Sequence, residues 1–78
     1  MKEYNIPFLE AMNLLLEGKW LRGHNFKSGF YIKLDYIGQL VLVNVNNMSI
    51  EEPYPHIRAL ANNKYRIITV ATVNELTD

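Results

Sequence analysis

The apolar residues of this chain change their period at Gly18, and that switch constrains its fold more than any other feature. Before it, Phe8, Met12, Leu15 and Leu16 fall at i, i+4, i+7 and i+8, one helical stripe, while Glu10, Asn13 and Glu17 face away. A helix over Pro7 to Glu17 follows. Pro7 suits the first turn, Asn5 is placed to cap it, and Gly18 is a natural stop. After Gly18 the period becomes two. Phe30, Ile32 and Leu34 alternate with Tyr31, Lys33 and Asp35, a strand with one buried face.

The rest of the chain continues in strands. Lys19 to Arg22 reads as a short extended piece, and Gly23 to Ser28 as a polar loop carrying one aromatic, Phe26. Tyr36 to Gln39 is a hairpin turn, and Leu40 to Val45, nearly continuous in apolar residues, is a central strand. Asn46-Asn47 turns the chain into a short edge strand, Met48 to Glu51. Pro53-Tyr54-Pro55 forbids regular pairing, and a short helix over His56 to Ala61 ends at Asn62-Asn63. The last strand spans Tyr65 to Thr72, and 74–78 forms a loose tail. The expected fold class is α+β: an N-terminal helix on a mostly antiparallel sheet of four to five strands, with a short second helix before the last strand. With 78 residues there is room for a single domain, 1–78, and self-association is one of the few remaining ways to bury more apolar surface.

Composition narrows the function. Eight Lys and Arg balance eight Asp and Glu, which speaks against a polyanion binder whose affinity rests on phosphate neutralisation. The charges are unevenly spread, however. Between Glu17 and Asp35 there are only cations (Lys19, Arg22, Lys27, Lys33) with His24. Between Glu52 and Glu75 there are only Arg58, Lys64 and Arg66 with His56. Two basic segments in a neutral chain suit a small anionic ligand. There is no cysteine, no run of about 20 apolar residues and no secretory signal pattern, so a cytosolic protein is expected.

Catalytic chemistry has little to stand on. His24 and His56 lie in different elements without ligand-spaced partners, Ser28 and Ser49 lack a triad or elbow, and Glu51-Glu52 point to opposite faces of a strand. No enzyme, metal or cofactor is expected. Binding chemistry is denser. Trp20 to Tyr31 interleaves Trp20, Phe26, Phe30 and Tyr31 with Arg22, Lys27, His24 and Asn25. A ring can stack on a base, a cation can meet phosphate, and an amide can meet a base or ribose edge. Trp20 and Phe30 read first as core. Phe26, in its polar loop, reads equally well as a ligand platform or as a plug for a pocket of the fold. Tyr54 between its prolines, with Arg58, Tyr65 and Arg66, makes a second group, which would otherwise cover the sheet edge.

The order of these motifs resembles a small phage family. Phe8-Leu9-Glu10-Ala11-Met12-Asn13-Leu14-Leu15-Leu16-Glu17-Gly18-Lys19 is similar to its F-x-E-A-L-x-x-L-x-x-G-K opening helix. Arg22-Gly23-His24-Asn25-Phe26-Lys27-Ser28-Gly29-Phe30-Tyr31 is similar to its Arg-bearing strand, Asn-Trp loop and Gly-aromatic-aromatic strand, and Pro55 to Tyr65 has the spacing of its short helix. The family is the phage Thoeris anti-defence sponge of the second type. Phe26 and Tyr65 stand where it carries Trp, Lys64 where it carries Asp, and Ala59 where a helix Asp is common.

The resemblance implies a non-enzymatic homotetramer in the bacterial host cytoplasm. It would sequester cyclic nucleotide immune signals, glycocyclic ADP-ribose isomers and in some members cyclic dinucleotides, without cleaving them. On this reading Phe26 stacks on a base, Arg22 and Lys27 meet phosphate, and Asn25 and His24 make polar contacts. Tyr54, Arg58 and Arg66 contribute from a neighbouring region or subunit. The competing expectation is a protein-interaction module that inhibits a host protein through an exposed sheet edge; a nucleic-acid binder comes third.

Overall fold

The computed structural model of the chain describes residues 3–45, 51–53, 57–73 and 76. Helix α1 (Phe8–Leu16) leads into strands β1 (Trp20–Gly23), β2 (Phe30–Leu34), β3 (Leu40–Asn44) and β4 (Glu51–Pro53). Helix α2 (Ile57–Ala61) and strand β5 (Tyr65–Ile68) follow. All strands pair antiparallel in one sheet of order β4-β3-β2-β1-β5. The first four form a meander, and the connection through α2 returns the chain to the opposite edge, where β5 joins β1. This is the expected α+β architecture.

The helix ends follow from local chemistry. Pro7 occupies the N-cap with extended backbone, and its carbonyl accepts from the Ala11 N–H at 2.9 Å. No side chain caps this end, so the expected role of Asn5 is not realised. At the other end Gly18, at φ 90°, donates to Leu15, and Lys19 donates to Leu14, the paired bonds of a Schellman stop. Leu16 departs from the expected stripe and is 76% exposed. At about 100° per residue it lies some 80° around the helix from Phe8, off the sheet. It borders an apolar groove of about 250 Å³ with Met12, Leu34 and Leu40.

The sheet is buried on both faces. On one, Ala11 and Leu15 of α1 and Leu60 of α2 cluster with Leu21, Ile32 and Tyr65. On the other, Tyr31, Val41, Val43 and Ile68 cluster with Val73 and Leu76, with Trp20 packed against them. Two expectations change as a result. Tyr31, expected to face outward, is core: the chain after β5 crosses this face, and the Trp20 ring stacks on Tyr31 at 5.2 Å and 26°. Leu76, expected in a loose tail, is buried; residues 74, 75, 77 and 78 lie outside the described residues.

Two strand boundaries also shift. β5 ends at Ile68 rather than Thr72, because the Thr72 N–H donates to the Thr69 carbonyl and the Thr69 N–H donates to the Thr72 hydroxyl, closing a turn. Pro53 sits in β4, opposite Val41, although the Pro-Tyr-Pro run was expected to exclude pairing. An edge strand tolerates a missing N–H. The expected turn at Asn46-Asn47 and the start of the edge strand at Met48 lie outside the described residues, as do Tyr54, Pro55 and His56.

Candidate functional site

The segment richest in binding chemistry, 24–29, joins β1 to β2 and is held from three directions. The first hold comes from within. Arg22 alternates with Leu21 on β1, so its side chain leaves the α1 face and enters the opposite one, where it is fully buried. Its Nη1 donates to the carbonyls of Lys27 at 2.9 Å and Phe30 at 2.7 Å. Its Nη2 donates to the Phe26 carbonyl at 3.0 Å, and Nε donates to the Tyr4 hydroxyl at 3.0 Å. A loop that turns its carbonyls inward needs donors there, and the planar guanidinium fork supplies them.

The second hold comes from α2. Asn63, just past its end, is buried; its Oδ1 accepts from the Asn25 N–H at 3.3 Å and its Nδ2 donates to the Ala59 carbonyl at 3.0 Å. The third comes from the C-terminal segment, where the Leu76 carbonyl accepts from the Gly29 N–H and the Ser28 hydroxyl.

Phe26 is half-buried. Its ring meets Tyr65 edge-on, with centroids 6.4 Å apart at 86°, and lies over Gly23 so closely that a Cβ there would stand 2.7 Å from the Phe26 Cε1. The ring plugs the end of the first core, so the structural reading of Phe26 holds, and only its outer part is open to solvent. Glycine at position 23 is what lets the ring close down.

The expected ligand contacts therefore separate. Arg22 does not reach the surface, so its expected contact with phosphate is replaced by an internal role: the carbonyls around it draw its guanidinium inward. His24, Asn25 and Lys27 are exposed on the loop, and Arg58 is exposed on α2. Arg66 is half-buried opposite Arg22 in the β1–β5 register, with its guanidinium 5.3 Å from the centre of the Tyr4 ring. Tyr54 lies outside the described residues. Asn63, Lys64 and Tyr4, none of them expected from the sequence as a ligand contact, complete the region. Asn62-Asn63 carries a signal of its own, but it reads only as a helix stop until the packing of α2 against the loop is known.

A cleft of about 280 Å³ lies elsewhere, at the start of β1 and the end of β5; Lys19, Trp20, Ile67 and Val70 are among its lining residues. It shares no residue with the loop, whose His24, Asn25, Lys27 and Ser28 form an exposed rim. Among the described residues, no group of three His, Asp or Glu side chains is placed to hold a metal ion, and no helix is long and apolar enough to cross a membrane. No family model, curated protein or solved structure matches this chain.

Proposed function

We propose that this chain is a phage anti-defence sponge: it binds a small cyclic nucleotide signal on the 24–29 rim and withholds it intact. The ligand class is the glycocyclic ADP-ribose isomers, with cyclic dinucleotides as a further class. The observation that carries the proposal is the internal anchoring of the loop by Arg22. Because the backbone is held at Phe26, Lys27 and Phe30, the outward groups of His24, Asn25 and Lys27 are ordered before a ligand arrives. Less entropy is then lost on binding. For a sequestering protein that matters directly, because affinity is the function and no bond is made or broken.

The outer part of Phe26 offers a ring to a base, Lys27 and Arg58 offer charge, and Asn25 and His24 offer hydrogen bonds. The exposed rim would gain a second wall in a homo-oligomer; the resemblance suggests a tetramer working in the bacterial host cytoplasm. The reading as a protein-interaction module acting through a sheet edge has less behind it at β5. Both backbone groups of Tyr65 are taken by Ile6, and both of Thr69 by Thr72.

The test is to mix the protein with glycocyclic ADP-ribose, remove the protein by filtration, heat it and assay for released ligand. The sponge reading expects depletion followed by recovery of intact ligand. Fragments of the ligand, or no depletion of it and none of cyclic dinucleotides, would overturn it.

A further inference from the structure

The β1–β5 ladder does not stop at its last strand rung, Gly23 opposite Tyr65. In the same register the next rung places His24 opposite Lys64. Half of it is ordinary: the His24 N–H donates to the Lys64 carbonyl at 3.0 Å. The other half is not. The Lys64 N–H donates, at 3.1 Å, to the His24 ring nitrogen Nδ1 in place of the His24 carbonyl. Two consequences follow from that substitution. The imidazole is fixed at the rim edge, and an Nδ1 that accepts leaves the proton of the neutral ring on Nε2, an N–H donor. Both residues are exposed, and directly opposed residues of such a rung hold their Cβ atoms about 5 Å apart.

With Arg22 inside the fold, Lys64 stands beside Lys27 and Arg58 as a further cation, tied to the loop by two hydrogen bonds. We infer that Lys64 and His24 form the anion-contacting pair of the site, the ammonium and the Nε2–H acting together on one phosphate group. Lys27 is exposed on the same loop, the Tyr4 ring centre lies 6.4 Å from that of His24, and the Arg66 guanidinium lies 5.3 Å from the Tyr4 ring centre. The inference rests on the sponge reading for the ligand and on geometry for the residues.

The experiment is calorimetric titration of the full chain with glycocyclic ADP-ribose, using wild type, Lys64→Gln, Lys64→Arg and Lys19→Gln. Lys19 is an exposed cation at the opposite end of β1 and serves as the control. Lys64→Gln is expected to weaken binding by about tenfold or more, while Lys64→Arg and Lys19→Gln stay within about threefold of wild type. Equal melting temperatures would show that all four are folded. Wild-type binding with Lys64→Gln unchanged would overturn the pair and leave the sponge reading standing. If wild type takes up neither glycocyclic ADP-ribose nor a cyclic dinucleotide, the sponge reading fails, and amide-shift mapping with inorganic pyrophosphate decides the pair. Shifts at His24 and Lys64 would retain it, and their absence would overturn it.

Discussion

The Arg22 guanidinium donates to the Phe30 carbonyl, eight residues further along the chain, at 2.7 Å. Lys27 and Phe26 accept from the same group, so the loop is wrapped around the side chain that precedes it. A buried cation is ordinarily unfavourable unless its donors are satisfied. Here it replaces the hydrogen bonds that the loop carbonyls lose on leaving water.

Replacing Arg22 with Lys keeps the charge and removes the fork. One ammonium cannot reach three carbonyls and a hydroxyl at once, and the acceptors left over are partly buried. A loss of about 3 kcal/mol or more is expected, against a total of about 4–12 kcal/mol for a domain of this size. Urea denaturation followed by tryptophan fluorescence measures it. A midpoint equal to wild type would mean that the loop does not depend on the fork.

Tyr4→Phe tests the fourth bond. The ring that carries Arg66 at 5.3 Å is retained, and the acceptor for the Arg22 Nε is removed. The expected destabilisation is about 1–3 kcal/mol, without loss of the fold. Tyr4→Leu, which also removes the ring, should cost more. Equal melting temperatures for the two variants would show that the Arg66 contact contributes nothing.

The parts of the fold that were legible in the sequence are those in which one residue type implies one environment. The stripe Phe8, Met12, Leu15 and the alternation Phe30, Ile32, Leu34 mark α1 and β2 because apolar spacing reports a buried face directly. Tyr31 and Arg22 were not legible. Tyr31 alternates outward in its strand, and only a distant segment carrying Val73 and Leu76 makes that side a core. An arginine between aromatics looks the same whether its partners are solvent, phosphate or its own loop; what decides is the set of inward carbonyls, which sequence does not display. Lys64 became part of the candidate site through strand register. Its pairing with His24, 40 residues away, appears only once β5 is known to lie beside β1.

The buried Leu76 leads to a further expectation. Its side chain sits with Val73, Ile68 and Tyr31, and its carbonyl holds Ser28 and Gly29. Leu76→Ala should destabilise the chain by about 2–5 kcal/mol, an effect foreign to a loose tail. Thermal unfolding measures the loss, and amide exchange should accelerate at Gly29, whose N–H donates to the Leu76 carbonyl. An unchanged melting temperature would return the tail to the loose state expected from its sequence.

The closest approach in the loop supplies the last prediction. A Cβ at position 23 would lie 2.7 Å from the Phe26 Cε1, 3.0 Å from its Cδ1 and 3.1 Å from the Asn63 Cγ. Gly23→Ala should therefore cost about 1–3 kcal/mol through overpacking. It should also push the ring away from Tyr65 and loosen the Asn63 bridge. Phe26→Ala alone loses the edge-on contact with Tyr65 and part of the first core. In the double variant the added methyl enters space that the ring has vacated, so the two losses should fall short of additivity by about 1 kcal/mol or more. The same cycle separates the two roles of Phe26. Under the sponge reading, Phe26→Ala weakens ligand binding, and the shortfall from additivity appears in stability but not in affinity, because the filled space has no ring to stack on a base. Chemical denaturation and ligand depletion on the same four proteins measure both quantities. Affinity that follows stability in step across the four proteins would make Phe26 a plug of the core with no part in binding.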